Sequence, residues 1–239
     1  MREDKETVDY WIAAGTRSGR LRERFRVRLK LLVWKSVLIF SYGLKRVLDL
    51  AAASAALVFG SPVFAITALL IKLEDGGPVF FRQQRVGYRG KLFGMYKFRS
   101  MVLNAEEIKK QLEASNEMQG GVIFKMKDDP RVTKIGRTIR KYSIDELPQF
   151  WNVLVGDMSL VGPRPPVPKE VAEYQPEERQ RLLAKPGITC LWQVSGRSEI
   201  DFRGQVKLDL DYIRSTSLWT DIKLLLRTVP AVLLGKGAY

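Results

Sequence analysis

Residues 50–71 read LAAASAALVFGSPVFAITALLI, 22 consecutive positions without a charged side chain. As a straight helix this segment would reach about 33 Å, enough to cross the hydrocarbon core of a bilayer. Its middle, however, is Gly60-Ser61-Pro62. Proline removes an amide donor, clashes with the preceding turn and pushes its predecessor away from helical geometry. Each half alone is too short to span. Charge gives no orientation either: four basic residues (Lys30, Lys35, Lys45, Arg46) precede the run within 30–49, and five (Lys72, Arg82, Arg85, Arg89, Lys91) follow it within 72–91. Basic flanks stay on the cytoplasmic side, so both ends belong there. The pattern predicts a broken, re-entrant helix that enters one leaflet, turns at Ser61-Pro62 and leaves by the same face, in preference to a kinked span or a buried core helix. Asp49 is expected at the headgroup boundary near Lys45 and Arg46, where a charge is tolerable.

The flanking segments divide the chain further. Residues 1–30 become increasingly basic, and RLRERFRVRLK (20–30) has no apolar stretch of the kind a secretory signal needs. That arm reads as a solvated helix or as one drawn to anionic headgroups. LLVWKSVLIFSYGL (31–44) suits an interfacial helix, with Trp34 and Tyr42 at headgroup depth. The expected units are a basic arm and interfacial helix over 1–42, a re-entrant helix over 43–75 and a cytoplasmic domain over 76–239. In the last unit, VFFRQQRVG (79–87) and KLFGMYKFRSM (91–101) flank Tyr88-Arg89-Gly90 and predict a β-hairpin. A polar helix capped by Asn104 is expected over 104–118, with loops at Gly120-Gly121 and Asp128-Asp129-Pro130. Residues 132–155 read as helical, 167–184 as a polar helix, 185–198 as a loop and 221–235 as an apolar segment, either core or membrane-bound. The fold class is therefore mainly α with a small β-hairpin.

Composition limits the chemistry. The 239 residues contain no histidine, which removes imidazole acid–base catalysis and His-ligated zinc. The single cysteine, Cys190, excludes an internal disulfide and lies in an apolar context that suits a buried structural thiol. A divalent ion would be held by oxygen, which favours Mg²⁺. The net charge of +14 favours a polyanionic partner. Nucleic acid fits poorly, because the charge is scattered and the apolar segment has no place in such a module.

The most informative stretch is RKYSIDELPQFWNVLVGDMSLVGPRPPVP (140–168). Ser143-Ile144-Asp145-Glu146 has the spacing of a capping box, the simplest reading of that pattern alone. The neighbourhood offers another. Arg140 precedes the adjacent carboxylates Asp145 and Glu146, and Arg164 is held among prolines in Gly162-Pro163-Arg164-Pro165-Pro166. Two carboxylates bracketed by arginines can serve phosphoryl chemistry: one attacks phosphorus, the other holds a metal, and the guanidinium forks take phosphate oxygens. Lys97 and Arg99 could add charge from the hairpin or belong to a solvated strand face. Asp157 could orient an arginine or cap a turn. Trp151, Trp192 and Trp219 suit core or interfacial anchors.

With these stretches in view the chain resembles the bacterial sugar transferase family, the monotopic polyprenyl-phosphate phosphoglycosyl transferases. The similarity runs over about residues 43–239 and lies in KRVLDL (45–50), Ser61-Pro62, GGPVFFRQQRVGYRGKLFGMYKFRSM (76–101), IGRTIRKYSIDELPQFWNVLVGDMSLVGPRPP (135–166), KPGITCLWQVSGR (185–197) and the tail 208–239. The tail resembles the branch that transfers glucose- or galactose-1-phosphate. The resemblance implies a membrane-associated monotopic enzyme at the bacterial inner membrane, with its catalytic domain on the cytoplasmic face. It implies a UDP-sugar donor, undecaprenyl phosphate as acceptor, UMP release and a place in exopolysaccharide, O-antigen or glycoconjugate assembly. It implies Asp145 as nucleophile, Glu146 as the Mg²⁺ ligand, and Arg140 and Arg164 on phosphate. Larger members of that branch carry an N-terminal multi-span region, which this chain is expected to lack. Homodimerisation stays open, and a non-catalytic basic scaffold at the membrane surface is the alternative.

Overall fold

The computed structural model describes residues 16–112, 126, 128–196 and 200–233. Two compact units divide the chain, Met1–Arg46 and Val47–Tyr239. The first described helix, α1, runs unbroken from Arg17 to Phe59. The segment 31–44, expected as an interfacial helix, is helical and continuous with the helix on either side of it. Between 17 and 59 there is no proline and only two glycines, so nothing stops helix propagation. Residues 1–15 of the basic arm lie outside the described residues.

The break comes where the proline predicts it. Helix α2, Ser61–Asp75, starts directly after Gly60, and the two helices are bent by 57°. Pro62 has no N–H to offer the Val58 carbonyl four residues earlier. The Ser61 hydroxyl donates to that carbonyl instead, at 2.8 Å. Gly60 is required by space, since a Cβ there would lie 2.3 Å from the Ala56 carbonyl oxygen. Among the described residues no single helix is long and apolar enough to cross a membrane; α1 and α2 reach that measure only as a bent pair. Asp49, expected near Lys45 and Arg46 at the headgroup boundary, is buried against protein. It is 4% exposed and accepts the Leu160 N–H at 3.0 Å.

Strands β1 (Phe80–Val86) and β2 (Leu92–Phe98) pair antiparallel about the Tyr88–Gly90 turn, as expected. Helix α3 covers Ala105–Leu112; residues 113–118 and Gly120-Gly121 lie outside the described residues. The helical stretch resolves into α4 (Lys134–Lys141), a 3-10 turn (Ile144–Glu146) and α5 (Gln149–Val155). The polar helix expected over 167–184 is two pieces, α6 (Pro168–Ala172) and a 3-10 segment (Glu178–Leu183). The expected loop at 185–198 holds a strand, β4 (Gly187–Thr189), which pairs in parallel with β3 (Ser159–Val161). Gly162 and Gly187 permit this approach, since a Cβ on Gly187 would meet the Gly162 nitrogen at 2.1 Å. Helices α7 (Phe202–Arg214) and α8 (Leu218–Leu233) follow.

The principal core joins Ala53 of α1, Phe93 and Met95 of β2, Val153 of α5, Leu160 and Val161 of β3, Tyr212 of α7 and Leu224 of α8. A second cluster packs Ile71 of α2 against Phe98 and Ile139. The apolar segment thus gives one face to protein, while Val58, Phe59, Ile66 and Leu69 are exposed. Helix α8 likewise buries Leu224 and exposes Trp219 and Leu226; Trp151 is exposed and Trp192 buried. Cys190 is buried as expected.

Asn152, 1% exposed, fastens the hairpin to α5. Its Nδ2 donates to the Gly94 carbonyl at 2.8 Å, and its Oδ1 accepts the Tyr96 N–H at 3.0 Å. Removing the amide strands two partly buried backbone groups, each worth about 1–3 kcal/mol when fully desolvated. Asn152→Ala is expected to lower stability by about 2–4 kcal/mol, read by denaturant unfolding in detergent. A loss well below that range would show that water takes over both bonds.

Candidate functional site

The chain from α4 to α5 places the two carboxylates. Thr133 caps α4 by accepting the Gly136 N–H. The helix ends near Arg140, whose carbonyl accepts the Ser143 N–H. Ser143 then adopts φ +54°, a left-handed conformation rarely occupied by residues other than glycine. This turns the chain so that the Ile144–Glu146 turn sets both carboxylates inward. Ser143 makes no side-chain capping bond, so the capping-box reading of the Ser-x-x-Glu spacing does not hold. Strain of this kind next to buried acids is typical of functional sites.

Lys97, on β2, lies between the carboxylates. Its Nζ is 2.6 Å from Glu146 Oε1 and 3.8 Å from Asp145 Oδ2. Arg164 Nη1 reaches within 4.0 Å of the same Glu146 oxygen. Burial pushes the Asp145 carboxyl up, and Glu146 beside it adds to the shift, against Lys97, Arg140 and Arg164. Glu146, half-buried, also loses hydration, but Lys97, Arg164 and Arg85 outweigh that penalty and hold it below the usual carboxylate range. The two acids are thus driven apart, one inclined to take up a proton and the other firmly anionic.

A cleft of about 460 Å³ opens in front of Asp145, lined by Arg85, Lys97, Arg99, Arg131, Arg140, Arg164 and Arg181. Three of these arginines are engaged with acids. Arg99 forms a two-pronged pair with Asp75 and donates to the Pro78 carbonyl, tying β2 to the end of α2. Arg99 thus lines the cleft with its guanidinium already held by Asp75. Arg131 pairs with Asp129, and Arg181 with Asp209. Lys97, Arg140 and Arg164 remain as the cations around Asp145. Asp157 is half-buried after α5, and among the described residues no hydrogen bond or ion pair joins it to an arginine. Ser61 and Pro62 belong to the helix break and not to this cleft.

Arg85 was not singled out by the sequence. It is 8% exposed, and its Nη1 donates to the Pro165 carbonyl at 2.9 Å. The next residue, Val86, donates its N–H to the Pro166 carbonyl at 2.8 Å. Strand β1 therefore sets the proline-rich loop that presents Arg164. Burial, then Arg164, lowers Arg85 to about 10, still charged at neutral pH, and its buried Nε has no partner among the described residues. Arg181 was missed as well, because it sits in a run that reads as an exposed polar helix. Arg181 also donates to the Tyr174 hydroxyl at 3.1 Å, and with Asp209 it closes one wall of the cleft.

Among the described residues there is no cluster of three or more metal-ligating side chains. The donor set still fits Mg²⁺, which is commonly held by one or two carboxylates together with substrate phosphates and water. Lys97 donates to one oxygen of Glu146, Oε1.

The profile of a family described as "Bacterial sugar transferase" matches residues 40–235. The chain is 54% identical over 198 residues to "Galactosyl transferase CpsE" of Streptococcus agalactiae serotype III, a match covering 81% of this chain and 43% of that protein. It is 47% identical over 199 residues to "Undecaprenyl-phosphate galactose phosphotransferase" of Salmonella typhimurium, covering 82% and 42%. It is 39% identical over 198 residues to "Exopolysaccharide production protein ExoY" of Rhizobium meliloti, covering 82% and 88%. The matched region is thus less than half of the first two relatives and most of the third.

Asp145 makes a stability prediction. Its folded value is raised, so the folded state binds more protons between the ordinary carboxylate value, about 3.9, and that raised value. Stability falls as pH rises through this window and stays lower above it. Asp145→Asn is expected to raise the melting midpoint at neutral pH, with the gain fading below the ordinary carboxylate value. A midpoint unchanged or lowered at neutral pH would show that the site does not disfavour the charged form.

Proposed function

Because the chain belongs to the bacterial sugar transferase family, we propose that it transfers a sugar-1-phosphate from a UDP-sugar to undecaprenyl phosphate and releases UMP. The observation that carries this reading is the pair Asp145–Glu146, buried at a cationic cleft with Lys97 between them. The relatives named for galactose transfer and for undecaprenyl phosphate support UDP-galactose or UDP-glucose as donor and undecaprenyl phosphate as acceptor.

The donor diphosphate binds among Arg140, Arg164 and Lys97. An Asp145 oxygen attacks the sugar-bearing phosphorus, the bond from that phosphorus to the bridging oxygen breaks, and UMP leaves with the electron pair. A phosphosugar–aspartyl intermediate remains. An oxygen of undecaprenyl phosphate then attacks the same phosphorus, the aspartyl bond breaks, and the carboxylate is restored as the lipid diphosphosugar departs. Splitting the transfer in this way gives ping-pong kinetics. Glu146, held anionic, would bind Mg²⁺, which when present offsets charge on the donor diphosphate. Lys97 offsets part of the charge of the two carboxylates, and Arg164 orients phosphate from its rigid loop.

The acceptor phosphate lies at the headgroup level of a membrane. The break at Gly60-Ser61-Pro62 suits a helix pair that enters and leaves by the cytoplasmic face of the bacterial inner membrane, so both substrates meet on one side. The product serves exopolysaccharide or related glycoconjugate assembly, in keeping with the name of the Rhizobium relative.

Two outcomes follow. Incubation with UDP-galactose labelled in the sugar should leave label on the wild-type chain and none on Asp145→Asn; undiminished labelling of the variant removes Asp145 from the nucleophile role. EDTA should stop UMP release and added Mg²⁺ restore it, while full activity in chelator eliminates the metal role of Glu146.

A further inference from the structure

The open edge of β3 leads to a residue in the membrane-segment helix. In the parallel pair, Ser159 and Val161 are the β3 residues in register with β4. Backbone direction alternates along a strand, so the N–H of Leu160 between them points away from β4 and has no strand to meet. Left buried and unpaired, it would cost stability. Asp49 meets it: Oδ1 accepts at 3.0 Å, and the carboxylate is buried. Such charge-assisted bonds are about twice as strong as neutral ones.

The chain that leaves β3 has little slack. After Val161, whose carbonyl accepts from the Tyr212 hydroxyl at 3.1 Å, comes Gly162, pressed against β4 with no room for a side chain. Pro163 and Pro165 fix φ on both sides of Arg164. The far end is tied to β1 through Arg85 and Val86. A shift of β3 therefore reaches Arg164 directly, and Arg164 already stands at the limit of contact with Glu146, at 4.0 Å.

We propose that Asp49 is a positioning residue for the transfer site: it replaces a third strand at the open edge of β3 and thereby sets the Gly162–Pro166 loop so that Arg164 faces Glu146. This deepens the function proposed above and rests on it. The same contact gives a reason for an acid at the head of an otherwise uncharged helical run, where exposure to lipid would be costly.

The test is a double-mutant cycle on the full chain in lipid vesicles, read as UMP release from UDP-galactose with undecaprenyl phosphate. Asp49→Leu is expected to lower kcat on the order of 10- to 100-fold while the chain still melts cooperatively and stays with the vesicles. Asp49→Asn, which keeps an oxygen acceptor in place, should restore most of the turnover. In an Arg164→Ala background the Leu substitution should cost about twofold or less, since the residue it positions is gone. Wild-type turnover for Asp49→Leu, or an equal loss in both backgrounds, overturns the proposal. Should Asp49→Leu fail to melt cooperatively, Asp49→Asn decides: a loss as large as that of Arg164→Ala shows that the bond to Leu160 is not what matters. A wild-type chain that releases no UMP defeats instead the function on which the proposal rests.

Discussion

Two carboxylates set side by side and taken out of water are the constraint around which this domain is arranged. Each loses hydration, and each raises the cost of ionising the other. Asp145 and Glu146 are stable together only because cations reach them from separate parts of the chain. Lys97 comes from the hairpin, Arg140 from the end of α4 and Arg164 from the proline-rich loop. The hairpin must therefore sit on α5, and the loop must be held by β1. The contacts that do this are polar and specific: Asn152 to β2, Arg85 to Pro165, Val86 to Pro166. The electrostatics of one turn thus account for much of the tertiary arrangement.

Small sheets make a second demand. A two-stranded ribbon leaves backbone groups facing away from its partner, and in a buried setting these must be satisfied. In this protein side chains supply the missing strands. Asn152 serves the outer edge of β2 with both ends of its amide, and Asp49 serves β3 with one oxygen. Both residues project from helices, so helix packing and strand completion are the same event. This explains how strands as short as Ser159–Val161 and Gly187–Thr189 keep a defined place.

What could be read from the sequence follows from the range of the signals. The break at Pro62 was legible because the donor it removes belongs to the same helix, and the hairpin because aromatic-rich runs flank a short glycine-containing turn. The Asp145–Glu146 pair stood out once Arg140 and Arg164 were counted as neighbours and the family resemblance was weighed. The pairing of Arg99 with Asp75 was not legible, because the two lie across a tertiary contact. Arg85 and Arg181 carried no local mark that separates a buried guanidinium from a solvated one. The continuity of α1 was missed for the opposite reason: the chain changes from basic to apolar near residue 31, whereas helix propagation depends on the backbone and ignores that change.

The charge surplus also acquires a structural meaning. Within 17–30 there are seven basic side chains against one acidic, all on a single helix with most of its described side chains exposed. The cleft holds a second concentration of cations, in which Arg85, Arg131 and Arg181 are buried. These two groups obey different physics. Charges on the exposed helix are screened by salt over about 8–10 Å. Charges in the cleft are desolvated and act by contact geometry, which is why bonded partners can be named for Arg85, Arg131 and Arg181. A net charge of +14 read as one quantity suggests a polyanion; divided this way it describes an exposed basic helix and, separately, a cationic cleft.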